Sequence, residues 1–131
     1  IPSQDAETNL VKLLKGIPDW KVYPNEIIVI DSSKKKLLIP EDFKSFTKKH
    51  DIKLIITHGK RFYPGHARNI GISKSSNSIM AFLDTSTYPC ENWLSSGYVL
   101  RSAACCLRTK SLTVCSNKWD RMSDERYVGR S

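Results

Sequence analysis

Three short apolar runs, separated by helix-patterned sequence, constrain the fold of this chain more than any other feature. Glu26-Ile27-Ile28-Val29-Ile30-Asp31 is a β-branched run bounded by polar residues, the signature of a strand buried on both faces. Ile52 through Thr57 is a second buried run, ending at His58-Gly59, and Ile79 through Leu83 is a third, ending at Asp84. Strands alternating with helices at these lengths predict an α/β fold: a Rossmann-like, mostly parallel sheet. Right-handed crossovers then place helices on both of its faces.

The intervening segments carry the helical signals. Leu10, Val11, Leu13, Leu14 and Ile17 recur at helical spacing. Asp5 and Glu7 lie near the start of that helix and Lys12 and Lys15 near its end, matching the macrodipole, while Gly16 and Pro18 stop it. Pro40-Glu41-Asp42-Phe43 opens a second helix with Pro at its first position; Phe43 and Phe46 form its inner face, and Lys48, Lys49 and His50 close it. A loop from Arg61 to Gly65 leads into a third helix, from about His66 to Ser75, with Ala67, Ile70 and Gly71 inward. A fourth helix is expected from Pro89 to Leu100 with Trp93, Leu94 and Tyr98 inward, and one more strand from Ser111 to Ser116. No internal repeat or low-complexity tract interrupts this order.

A chain of 131 residues supports one domain with one core. No apolar run reaches the length of a membrane span, and no signal-peptide pattern opens the chain. Cys90, Cys105, Cys106 and Cys115 have neither C-x-x-C nor zinc-type spacing, so buried thiols in a reducing cytoplasm are the expected reading. The net charge of +8 favours anionic partners. Its one tight run, Lys34-Lys35-Lys36, reads as a solvated face, and no aromatic residues interleave with the basic ones as single-strand binding requires. Nucleic acid is therefore not an expected partner. Ile1-Pro2 begins as the last residue of a strand would, and the chain reads as a fragment.

Ligands of open α/β sheets bind at the carboxyl ends of the strands. There, Asp31 is suited to accept hydrogen bonds from a base or sugar. Arg68, at a helix N-terminus, offers a planar fork to phosphate. Gly65 would admit close backbone approach, and Asp84 a divalent cation that neutralises a diphosphate. Each has a plainer counterpart. Asp31 taken alone reads as an Asx-turn or cap residue, Arg68 as a surface ion-pair former, and His58 and His66 as structural or solvent-facing. Only the conjunction points to a ligand.

That conjunction resembles a known family. Ile1-Pro2, Ile28-Val29-Ile30-Asp31, Gly65-His66-Ala67-Arg68-Asn69-Ile70-Gly71, Ala81-Phe82-Leu83-Asp84, Pro89 and Trp93-Leu94 follow in the order seen in family-2 glycosyltransferases of the GT-A fold. The resemblance spans roughly the first hundred residues. It implies a nucleotide-diphospho-sugar donor, a UDP- or GDP-sugar, and transfer to a sugar, lipid or polysaccharide acceptor. By the same resemblance Pro2 and Ser3 border the nucleotide, Asp31 contacts the base, and Gly65 and Arg68 lie near base and phosphates. Asp84 matches the first acid of the Asp-x-Asp motif that holds Mg or Mn. Ser86 replaces the second acid, and Ser32-Ser33-Lys34 follows Asp31 in place of Asp-Gly-Ser; both departures weaken metal-dependent chemistry.

The whole chain is thus expected to be a single partial nucleotide-sugar-binding domain, 1–100 matching the family and 101–131 departing from it. The GT-A frame looks truncated at both ends. Alone, such a piece is not expected to be an active enzyme. Its catalytic base is unassigned; Asp120, Asp124 and Glu125 read as solvated charges. The location implied is cytoplasmic, with peripheral association at the inner membrane face. The alternatives are a non-catalytic nucleotide-sugar-binding module and a receiver-type signalling domain; the latter lacks its acidic pair and late lysine. A dinucleotide-binding domain would need G-x-G-x-x-G after the first strand, which is absent.

Overall fold

A computed structural model describes residues 1–60 and 63–96. Among the described residues three parallel strands form one sheet in the order β1 (Pro2–Ser3), β2 (Glu26–Asp31), β3 (Lys53–His58). Helix α1 (Glu7–Gly16) joins the first pair, α2 (Glu41–Lys49) the second, and α3 (Pro64–Lys74) follows β3. The expected α/β class is therefore the observed one, and β2 has the bounds expected of it.

Alternation along β2 divides the two faces. Ile27 and Val29 join Leu10, Leu13 and Leu14 of α1 and Phe43 of α2 in one buried cluster. Ile30 points the other way, where its Cγ1 lies 3.9 Å from the position a Cβ would take on Gly71 of α3. Helices thus cover both faces of β2. Gly16 is the last residue of α1, and a tight 3-10 turn over Ile17–Asp19, with Pro18 inside it, turns the chain away. Pro40 stands one residue earlier than expected, as the cap before Glu41, with extended backbone (φ −55°, ψ 140°). In α2, Phe43 and Thr47 are the buried residues, while Phe46 is half-buried and stacks on Phe43 at 6.0 Å.

Two strand expectations are corrected. The run 52–57 forms β3, shifted by one residue, but it is not buried: among the described residues it is the outer strand of the sheet, and Ile56 keeps 40% of its surface. Residues 79–83 form no strand. Instead, Met80, Ala81, Phe82 and Leu83 face Ile28 and Ile30 across an apolar cavity of about 380 Å³. Leu83 and Trp93 still reach the core. Trp93 meets Trp20 edge-to-face at 5.2 Å, and Lys21 N–H donates to the Glu91 carbonyl at 2.8 Å, so burial and one backbone bond fix the course of this segment. The helix expected from Pro89 is seen only as helical backbone over 93–96; Tyr98, Cys105, Cys106, the strand 111–116, Asp120, Asp124 and Glu125 lie outside the described residues.

At the opposite end of the sheet a carboxylate clamps α3 to β2. Glu26 begins β2, and its side chain is only 7% exposed. It accepts hydrogen bonds from the Ser75 hydroxyl (3.1 Å), from both the N–H (3.1 Å) and the hydroxyl of Ser76, and from Lys53 Nζ (3.3 Å). Chiefly the Ser76 hydroxyl, working against burial, brings its pKa down to about 2; Asn77, the Ser76 N–H and Lys53 add to the effect.

Candidate functional site

Two clusters of charged side chains stand where the sequence placed a ligand site. The first is set by the end of β2. Asp31 is its last residue, pairs in register with Ser3 and His58, and has no exposed surface. Its Oδ1 accepts from the Ser33 N–H (3.3 Å) and the Ser33 hydroxyl (2.6 Å), an Asx turn that redirects the chain out of the strand. Its Oδ2 takes His58 Nδ1 at 2.8 Å. Ser33 Oγ in turn accepts from the Asp5 N–H (2.7 Å), and Asp5 Oδ1 from the Lys34 N–H (3.0 Å). Asp5 adopts a left-handed backbone, φ 48°, tolerated by Asp better than by most residues. The two loops leaving β1 and β2 are thus laced together around one buried carboxylate.

The second cluster joins α3 to the end of the 77–84 segment. Arg68, one turn into α3, donates from a guanidinium NH2 to Asp84 Oδ1 at 2.9 Å; the side chains are 35% and 49% exposed. The sequence spacing of 16 residues gave each a role but not this contact. Pro2 is half-buried beside this cluster, lining the same cavity as Arg68. Gly65 is exposed, has a negative φ, and a Cβ there would meet nothing within 4 Å, so neither backbone strain nor crowding calls for glycine.

Ile30 faces α3, so Asp31, the next residue, leaves β2 on the face away from Arg68. The structure therefore brings Arg68 to Asp84, and Asp31 to Ser33 and His58. Sequence reasoning makes His58 merely structural or solvent-facing. Its partnership with Asp31 is legible only by recognising that both end adjacent parallel strands, and that adjacent ends come into register.

The fit to a divalent metal is poor. Among the described residues no three His, Cys, Asp or Glu side chains gather as a metal site. Asp84 already has one oxygen on a guanidinium, and Ser86 beside it is exposed.

The chain matches a family model, that of glycosyl transferase family 2, over residues 1–98. The chain belongs to glycosyl transferase family 2. No curated protein and no solved structure matches it. Members of the family typically use a divalent metal, which these residues do not accommodate as a cluster. Among the described residues no helix is long and apolar enough to cross a membrane.

Proposed function

We propose that this domain binds the nucleotide-diphospho-sugar donor of a glycosyltransferase, a UDP- or GDP-sugar. The observation that carries the reading is the Arg68–Asp84 pair, joined at 2.9 Å within the family-matched region. In this reading Arg68 exchanges its carboxylate partner for the donor's diphosphate, where its fork makes two parallel charge-assisted bonds. The +8 balance of the chain adds a favourable field for the anion. Pro2 and Ser3 border the nucleotide, and the Asp31 cluster forms the rim at its base.

In transfer, the bond from the sugar carbon to the diphosphate breaks and a bond to the acceptor hydroxyl forms, with the hydroxyl proton passing to a base. No described residue is assigned as that base. Arg68 stabilises the charge that develops on the departing diphosphate. A sugar, lipid or polysaccharide acceptor and a cytoplasmic setting at the membrane face belong to the same proposal.

Thermal unfolding with and without UDP- and GDP-sugars tests the reading. One of them should raise the melting temperature of the wild-type chain, and Arg68→Ala should abolish the rise. A folded wild-type chain that responds to no nucleotide sugar refutes the proposal. A second reading, a binding module without transfer chemistry, is favoured by Ser86 in place of the second acid and by the neutralised Asp84. It predicts the same thermal shift without donor hydrolysis.

A further inference from the structure

Along β2 the backbone groups alternate between its two neighbours. The Asn25 and Asp31 carbonyls accept from the Lys53 and Gly59 N–H groups at 2.9 and 3.0 Å, on the β3 side. The Ile30 and Ser32 N–H groups donate to the Ile1 and Ser3 carbonyls at 3.0 and 2.9 Å, on the β1 side. There too the Ile28 carbonyl accepts from the Ile1 nitrogen at 2.8 Å. Even-numbered residues therefore serve the β1 side. The Ile28 N–H and the Glu26 carbonyl point the same way, with no strand beside them among the described residues.

The apolar cavity of about 380 Å³ runs along that edge. Ile27 and Ile28 both line it, although successive residues turn to opposite faces of a strand. A space that touches both lies beside the strand, not above or below it. Five consecutive residues, Ile79 to Leu83, form its far wall. Ile17 and Trp20, packed in one cluster with Ile27, bound it on one face of the sheet, and Ala67 and Gly71 of α3 bound it on the other.

We infer that this cleft takes an extended apolar peptide from a partner chain, laid parallel to β2 and in line with β1. Ile1 stands opposite Val29 and bonds to both Ile28 and Ile30. By the same geometry the peptide residue opposite Ile27 donates its N–H to the Glu26 carbonyl and accepts from the Ile28 N–H. Its side chain turns toward Ile17 and Trp20, and its neighbour's toward Ala67 and Gly71, whose small size leaves depth for a branched side chain. Both faces being apolar, the peptide is apolar at every position. Main-chain bonds supply its affinity and the two walls its selectivity. A hydrocarbon tail fits the walls equally well but leaves the two backbone groups unmet in an apolar space, which is costly. The inference is independent of the donor-binding reading.

The test is calorimetric titration of this chain with the acetylated, amidated peptide Lys-Lys-Val-Ile-Val. Binding should be saturable. N-methylation of the central isoleucine keeps the side chain and removes the N–H, and should weaken binding at least about 10-fold. Replacing Val-Ile-Val by Ser-Asn-Ser should weaken it at least about 100-fold. Gly71→Leu places a branched side chain in the cleft and should weaken it about 10-fold.

Amide exchange followed by NMR locates the strand. Saturating peptide should slow exchange of the Ile28 N–H at least about 10-fold and leave Ile27, which bonds on the β3 side, unchanged. A folded chain that does not bind the peptide, equal affinity for the N-methylated form, or unaltered Ile28 exchange each overturns the inference. Binding of a dodecyl-chain detergent without binding of the peptide assigns the cavity to a lipid tail and overturns it as well. Should Gly71→Leu fail to fold, the N-methyl comparison on the wild-type chain decides alone.

Discussion

Replacing Glu26 by glutamine should remove a clamp whose strength follows from its titration. The folded-state pKa of about 2 lies below the ordinary 4.5, first because of the Ser76 hydroxyl, so the ionised form is the one the fold prefers. Each pH unit of such a displacement corresponds to about 1.4 kcal/mol, giving about 3.5 kcal/mol if nothing screened it. Lys53 contributes from a side chain 59% exposed, and solvent screening reduces the figure to about 2 kcal/mol. The group's pKa is depressed on folding, so its contribution is complete above the unfolded-state value near 4.5 and is lost as pH falls toward 2. Glutamine has the same shape as glutamate and no charge, so the variant should lack the contribution at every pH. Urea unfolding of wild type and Glu26→Gln at a series of pH values measures it. The midpoints should differ by about 1 M at neutral pH and converge as the pH approaches 2. A difference under about 0.5 kcal/mol at neutral pH, or one that does not shrink below pH 4.5, would refute the electrostatic account.

Further outcomes follow from packing and helix physics. Leu14 is fully buried between α1 and the sheet, so Leu14→Ala should cost about 3 kcal/mol in urea unfolding. Gly71→Ala should stabilise by about 0.5 to 1 kcal/mol, since a helical glycine gains propensity and the new methyl sits at an ordinary 3.9 Å from Ile30; a loss on calorimetric melting would show that α3 packs more closely than described. Arg68→Ala removes a half-exposed ion pair. It should cost under about 1 kcal/mol of stability, so any loss of nucleotide response in that variant reports on binding rather than folding. Asp84→Asn should be equally mild by the same unfolding assay.

The elements whose formation is local were legible in the chain. Glu26–Asp31 shows its β-branched run and α1 its 3.6-residue period, because each pattern is the face the element will bury. The Arg68 and Asp84 motifs and their family order were equally visible, since they lie along one stretch of sequence. Edge and partner were not. Whether Lys53–His58 is buried depends on its being the outer strand among the described residues, and whether 79–83 becomes a strand depends on its finding a backbone to pair with; hydrogen-bond ladders need two partners, and periodicity describes only one. The contacts of His58 with Asp31, 27 residues apart, and of Glu26 with Ser76, 50 apart, exist only once register and crossover are fixed.

A row of side chains at the mouth of the sheet is therefore a product of topology. The chain supplied an acid, a serine and an imidazole at three strand ends; parallel pairing set them side by side, because Ser3, Asp31 and His58 fall in one register.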